Sequence, residues 1–519
     1  MKYRILITFL MLYTINCISH AQTISTYKLE GERSPYLHPP GNSASHATSG
    51  NDSLWFGTSR GLTRTTDNGD SWIHFRSDEA FQPHGIFSIH LGKSALWTST
   101  GFRKETTAGS QQAGSGYTFS TDRGSTWSYV EQPVDDFSVD TLLYGENRIP
   151  ALGITTDVNN ITYSMSTSGN EVWTASFAGG LRKSNDFGQT WEKVILPPDN
   201  LDFIASDMDL RFALSPIAGQ LIPEGHLNHR VFAVHVARDS TIWAGTANGI
   251  NVSLDGGLSW RKYNFQNQTN GILGNWVIKI ADQELPDGTI RIWTTNWRAE
   301  DRDEMNGVSY TDDHGTSWTN VLHTIQAYDF AFRDSIVYVA TEDGVMRSDN
   351  GGKTWEGSGS IVDHDSRQRF VTREVLSVAV SSNHLWVGTP EGIAQTSDTM
   401  GENFGYTWRI FRTFSEVAGT GDTYAYPNPF SPSITVTRIH YDTDGSDGSD
   451  ADVSIELFDF SMNRVRTLIR NALRSGFYEH DEIWDGEDDG GNIVPNGVYF
   501  YRVLINGNNE RWGKILVLR

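Results

Sequence analysis

The stretch STDRGSTW, residues 120–127, has two near copies, TTDNGDSW at 65–72 and SNDFGQTW at 184–191. Further copies follow: SLDGGLSW (253–260), TDDHGTSW (311–318), SDNGGKTW (348–355, with Asn350 in the place of the acid) and an interrupted TSD…GYTW (396–408). Recurrence every few tens of residues marks a repeat architecture. Each residue type has a turn-forming or packing reason. The acid accepts N–H groups of its own turn, glycine supplies a positive φ, Ser and Thr bond locally, and Trp buries a large ring. A reaction centre has no use for seven copies. Asp67, Asp122, Asp186, Asp255, Asp313, Asn350 and Asp398 therefore read as structural.

A second element precedes each octapeptide: an aromatic residue inside an apolar run, at Trp55, Trp97, Trp173, Trp243, Trp293, Tyr338 and Trp386. From that aromatic to the third octapeptide position the distances are 12, 25, 13, 12, 20, 12 and 12 residues. Upstream again lie short runs such as IFSIHL (86–91), VFAVHV (231–236) and VLSVAV (375–380), with only a weak counterpart, ASHATS (44–49), in the first unit. Each unit thus predicts four strands: an inner one, the aromatic one, one entering the octapeptide and one leaving it. Four-stranded units repeated radially give an all-β, seven-bladed β-propeller over residues 22–413, which closes into a ring and so protects its edges. The segment TISTYKL (23–29) is expected to add an outer strand.

The octapeptides resemble the Asp-box, or BNR, repeat of sialidases and of many propellers without sialidase activity. That resemblance implies a structural hairpin, which agrees with the residue-by-residue reading. NRIPAL (147–152) is similar to the Arg-Ile-Pro motif with which sialidases hold the sialic-acid carboxylate, so the resemblance marks Arg148. Here the motif follows the second octapeptide, whereas sialidases carry it ahead of the first, and no Tyr–Glu nucleophile pair or acid Asp can be assigned. Asp-box propellers that cleave glucans use paired carboxylates, and none can be picked from acidic loops such as RAEDRDE (298–304).

The chain ends set the context. Residues 1–21 carry Lys2 and Arg4, a short apolar run and Ser19-His20-Ala21, which reads as a secretory signal cut after Ala21 and too short for a membrane span. Cys17, the single cysteine, lies inside it; a lipoprotein anchor there is the minor alternative, because Thr14-Ile15-Asn16 is a poor lipobox. The mature chain then has no disulfide, catalytic thiol or thiolate metal site. Loss of Lys2 and Arg4 takes the net charge from −22 to −24. Nucleic acid and anionic membranes are disfavoured partners for such a surface, since binding them needs clustered Lys and Arg.

Function is expected on the face opposite the octapeptides, where the insertions 101–115, 128–160, 192–230, 297–307 and 356–374 fall, because loops on a rigid scaffold carry binding residues. The exception is a loop at 282–290 on the octapeptide face. Candidates for the central mouth stand just before inner strands (His84, His229, Arg230, Asn275, Trp276, Arg373) or in insertions (Arg148, Trp297, Arg298). Arg and Trp together suit carboxylate- or carbohydrate-bearing ligands.

After a polar linker at 414–423, residues 424–519 show period-2 strands separated by Gly/Asp/Asn turns and predict a small β-sandwich. YPNPF (426–430), the WDG centre (484–486), PNGVYFYRV (495–503) and the basic last strand resemble FlgD-type Ig-like domains and the C-terminal sorting domains of type IX secretion substrates. The resemblance implies passage across the outer membrane by its secretion machinery, then release or surface attachment. The final Arg519 departs from the Lys that ends some such tails. DTDGSDGSD (442–450) offers Asp442, Asp444 and Asp450 as calcium ligands, or is a flexible acidic loop; no other cofactor is indicated. The expected function is an exported, non-catalytic propeller binding a glycan or an extracellular protein; the alternative is a glycoside hydrolase of sialidase or endoglucanase type.

Overall fold

Short runs rich in β-branched and aromatic residues, each cut off by glycine, favour extended chain throughout. The computed structural model describes residues 24–27, 38–41, 43–50, 53–75, 80–81, 84–214, 226–363, 369–381, 383–398, 404–412, 423–443, 449–476 and 480–518. The expected signal segment, most of the linker and Asp444 lie outside these. Among the described residues the one helical element is a 3-10 turn, Leu227–His229, and no helix is long and apolar enough to cross a membrane. The chain divides into two compact units, Met1–Thr413 and Phe414–Arg519.

The first unit holds one antiparallel sheet per octapeptide, each with four core strands in sequence order. The innermost strands are Ala44–Gly50, Gly85–Leu91, Thr162–Ser168, Val231–Val236, Trp276–Glu284, Ala327–Arg333 and Ser377–Ser381. Hydrogen bonds join the first sheet to the last, Ala44 N–H to Thr389 O at 2.9 Å, so the sheets form a β-propeller ring. Ser25–Tyr27 pairs with the outermost strand of the second sheet, Trp127–Val130, as the sequence suggested. The weak first unit is a full sheet: ASHATS is polar because its strand lines the central channel.

The octapeptide hairpin is fixed by bonds repeated almost unchanged. In the second copy Asp122 Oδ1 accepts the Thr126 N–H at 2.8 Å and Oδ2 accepts the Thr126 hydroxyl at 2.7 Å. The Ser120 hydroxyl donates to Asp122 at 2.9 Å and accepts the Gly124 N–H at 2.7 Å. Arg123 and Gly124 both sit at positive φ, 60° and 89°. The octapeptide Trp has a partner that sequence did not reveal. In five of the seven copies it meets, edge to face, the aromatic-strand Trp of the preceding sheet: Trp127 on Trp55 at 6.3 Å, Trp260 on Trp173 at 6.4 Å, Trp318 on Trp243 at 6.4 Å and Trp355 on Trp293 at 6.3 Å. Trp72 on Trp386, at 6.2 Å, closes the ring the same way. Such pairs add roughly 0.5–1.5 kcal/mol each beyond area burial, so the two motif elements are the two halves of one inter-sheet joint.

The acid of the seventh copy also reaches across sheets: Asp398 is buried, and its carboxylate accepts from Arg347 Nε at 3.0 Å and from the Tyr338 hydroxyl, both in the preceding sheet. The insertion in this copy lengthens the chain between the acid and the GYTW end.

The second unit has a three-stranded sheet (Tyr424–Tyr426, Thr437–Tyr441, His480–Trp484) and a four-stranded one (Arg464–Arg474, Ala451–Phe458, Gly497–Ile505, Asn509–Val517). They share a core that includes Ile439, Val453, Ile455, Trp484, Tyr501 and Ile515. Asp442 is engaged by Arg511 at 2.9 Å and Asp450 is exposed. Among the described residues no group of His, Cys, Asp or Glu could hold a metal ion.

Candidate functional site

The inner strands surround a central cavity of about 680 Å³. Six of them carry a β-bulge one or two residues from the long-loop end, a device that re-aims a side chain. The bulged residues are Ser45, Phe87, Tyr163, Phe232, Ile278 and Tyr328, and all six line the cavity. Leu376 holds the same place in the seventh sheet, its N–H bonded to Gly388 O at 2.8 Å. Trp276 and Trp297, paired across the fifth sheet, extend this collar. Trp276 is 40% exposed and lies 6.0 Å from Phe232; Trp297 meets Tyr328 edge-on at 5.7 Å.

Deeper in the channel the lining turns polar. Lys279 Nζ pairs with Asp329 at 2.7 Å, and Asp329 also accepts the Val378 N–H at 3.2 Å. His235 Nε2 pairs with Asp282 at 2.8 Å, with the Arg238 guanidinium 3.7 Å from the same carboxylate. Burial pushes the Asp282 carboxyl up, but the bond from His235 and the charges of His235 and Arg238 outweigh it and leave it below the usual range. His90 Nε2 lies 3.0 Å from the Thr167 hydroxyl and His46 Nδ1 2.9 Å from the Ser45 hydroxyl. Burial holds both imidazoles down at about 3, helped at His46 by Lys279 and at His90 by His235 and Lys279. Both rings are neutral at pH 7.

Of the residues singled out from sequence, Trp276 and Trp297 line the cavity; the others do not. His84 stacks on Phe102 at 4.5 Å, Arg230 lies over Phe177 at 5.1 Å, and His229, in the 3-10 turn, is held near 3 by burial and the neighbouring His226. Arg298 bonds to Asp301 O within its own loop, and Arg373 pairs with Asp343 at 2.6 Å. Asn275 is buried against Glu304. Arg148 is away from the mouth. Its hairpin, Thr141–Tyr144 with Asn147–Pro150, is anchored to the fourth octapeptide by the Tyr144 hydroxyl on Leu258 O at 2.8 Å. The 192–230 insertion likewise adds an outer strand, Phe203–Ala205, to the fourth sheet. The insertions at 101–115 and 282–290 continue their ladders as longer hairpins. Much of the inserted chain therefore builds the flank. The bulged members of the collar were missed because they share a place, one or two residues into each inner strand, and no residue type.

No family model matches the chain. A sialidase of Bacteroides fragilis (strain YCH46) is 26% identical over 251 residues, which is 45% of this chain and 42% of that protein. The chain thus spans less than half the length of this curated relative. Among solved structures, PorZ, a surface component of the type-IX secretion system of Porphyromonas gingivalis, is 13% identical over 92% of this chain and 66% of its own, with a TM-score of 0.39. An ancestral GH74 enzyme is 14% identical over 92% and 63%, with a TM-score of 0.49.

Proposed function

We propose that the protein is an exported, non-catalytic propeller that holds a glycan or an extracellular protein at the long-loop mouth of its channel. Its second unit serves as the sorting or anchoring domain read by an outer-membrane secretion machinery. The observation that carries the binding reading is the aromatic collar set above a polar channel floor, a concave site with few polar groups of the kind small ligands use. Against a sialidase, the described cavity lining contains no arginine. Against a two-carboxylate hydrolase, Asp282 and Asp329 are each tied into ion pairs. The competing reading, a glycoside hydrolase, draws on the partial match to the Bacteroides sialidase. Incubating the full protein with sialylated glycans and glucans tests the choice. No free sialic acid and no new reducing ends are expected, and release above a heat-inactivated control would decide for the hydrolase.

A further inference from the structure

A charged ligand entering this mouth meets no counter-charge that is free. Lys279 is the one lysine or arginine among the described cavity-lining residues, and its amine is already taken by Asp329 at 2.7 Å. Asp282 is likewise satisfied by His235. The other two lining histidines, His46 and His90, are neutral, and so are the Tyr163 and Tyr328 phenols, which burial pushes up. A carboxylate or phosphate placed here would stay unpaired in a partly desolvated site, or would have to break the Lys279–Asp329 pair, and both are unfavourable. A hydroxyl-bearing ligand needs neither. Neutral imidazoles and the Thr48 hydroxyl can both donate and accept, as sugar hydroxyls do. Above them the rings of Trp276 and Phe232 offer flat apolar faces to the C–H faces of a pyranose. A volume of about 680 Å³ admits a few sugar residues and no folded protein domain.

We infer that the occupant is the end of an uncharged glycan chain, and that the Lys279–Asp329 pair is what turns acidic sugars away. The inference rests on the mouth-binding reading above and narrows it from glycan or protein to neutral glycan.

The test uses the full protein, titrated with cellohexaose, maltohexaose and chitohexaose, and with hexagalacturonate and 3′-sialyllactose as acidic probes. Tryptophan fluorescence and titration calorimetry give the affinities. At least one neutral probe is expected to bind about tenfold or more tightly than the acidic ones, and Trp276→Ala to weaken it about tenfold. Asp329→Asn keeps an acceptor for the Val378 N–H but frees the Lys279 charge, so it should gain about tenfold or more for the acidic probes. Lys279→Met removes the cation and should gain nothing for acidic probes, which separates the charge effect of Asp329→Asn from mere loss of the pair. Acidic probes binding the unmodified protein as tightly as the neutral ones would overturn the inference and leave the mouth reading intact. Neutral binding indifferent to Trp276→Ala would overturn both. Absence of binding by every neutral probe would overturn the inference, and the mouth reading would then stand or fall on whether a protein ligand is lost with Trp276→Ala.

Discussion

Replacing Asp122 by alanine and, separately, by asparagine asks whether the octapeptide acid serves as an acceptor or as a charge. Its carboxylate takes three bonds, from the Thr126 N–H, the Thr126 hydroxyl and the Ser120 hydroxyl. Alanine removes all three. At about 1 kcal/mol net for each, discounted because the turn is largely solvated, the expected cost is about 2 kcal/mol. Asparagine is already present in the sixth copy. There Asn350 Oδ1 accepts the Thr354 N–H at 3.0 Å and the Ser348 hydroxyl at 3.0 Å, while Nδ2 donates to the Thr354 hydroxyl at 2.6 Å. The hydroxyl simply reverses its role, so Asp122→Asn loses charge but no bond and should cost under about 1 kcal/mol.

Scanning calorimetry reads the difference. A unit of roughly 400 residues has an unfolding entropy of about 0.8 kcal/mol/K, so alanine lowers Tm by about 2–3 °C and asparagine by about 1 °C or less. A pH series adds a second signature. Burial raises the Asp122 carboxyl, but the bonds from Thr126 and Ser120 outweigh it and hold it below the usual range. A depressed carboxyl contributes stability that is present above the unfolded value, about 3.9, and lost as pH falls through the folded one. The gap between the unmodified protein and the asparagine variant should therefore close below pH 4. An asparagine variant as damaged as the alanine one at pH 7 would refute the reasoning, because charge and not bonding would then hold the turn.

Gly69→Ala strikes the ring closure: at φ 86° its Cβ would come within 2.5 Å of Phe411 and 3.1 Å of Trp386. A loss of about 3 kcal/mol or more is expected in calorimetry, from strain and overpacking together. Asp135→Ala leaves the largely buried Arg182 and Lys193 without their shared partner, for about 3–5 kcal/mol, and limited proteolysis should then cut within 131–155. His46 and His90 give the channel its own acid sensitivity. Their folded values near 3 lie below the unfolded 6.5, so their contribution is present above pH 6.5 and is lost as pH falls toward 3. Each contributes up to about 1.4 kcal/mol per pH unit in that window, and His90→Gln should flatten the decline of Tm between pH 6.5 and 4.5.

The propeller was legible because its joints are written twice, once in the aromatic strand and once in the octapeptide, at a spacing of 12 residues in most units. Even the polar ASHATS strand could be placed from its position ahead of Trp55. The flank was not legible. A loop that leaves the long-loop face at residue 131 and packs beside Leu258 obeys contacts more than a hundred residues away, and nothing local in NRIPAL announces them. The same limit hid the bonds of Asp398 to Tyr338 and Arg347, which belong to the sheet before it. Trp276 and Trp297 were found because a Trp before or after a strand is conspicuous. Phe87, Tyr163, Phe232 and Tyr328 were absorbed into the apolar runs of their inner strands, where an aromatic is the ordinary expectation.

That last failure follows from how a repeat divides its labour. What recurs must serve what recurs, so the octapeptide, the aromatic strand and the inner-strand bulge are scaffold. A ligand is not sevenfold symmetric, so the residues that meet it must differ from one unit to the next. The bulge reconciles the two demands. It fixes where a side chain stands, one or two residues from the mouth, and leaves its type free: Ser45, Phe87, Tyr163, Phe232, Ile278 and Tyr328 share a place and almost nothing else. The aromatic members fall on the second, third, fourth and sixth sheets, with Trp276 and Trp297 supplying rings on the fifth. The first and seventh sheets, with Ser45 and Leu376, leave one side of the mouth without rings. On the proposed reading, a ligand held by this collar would lie against the aromatic arc, off the channel axis, on the side where the Lys279–Asp329 pair joins the fifth and sixth sheets.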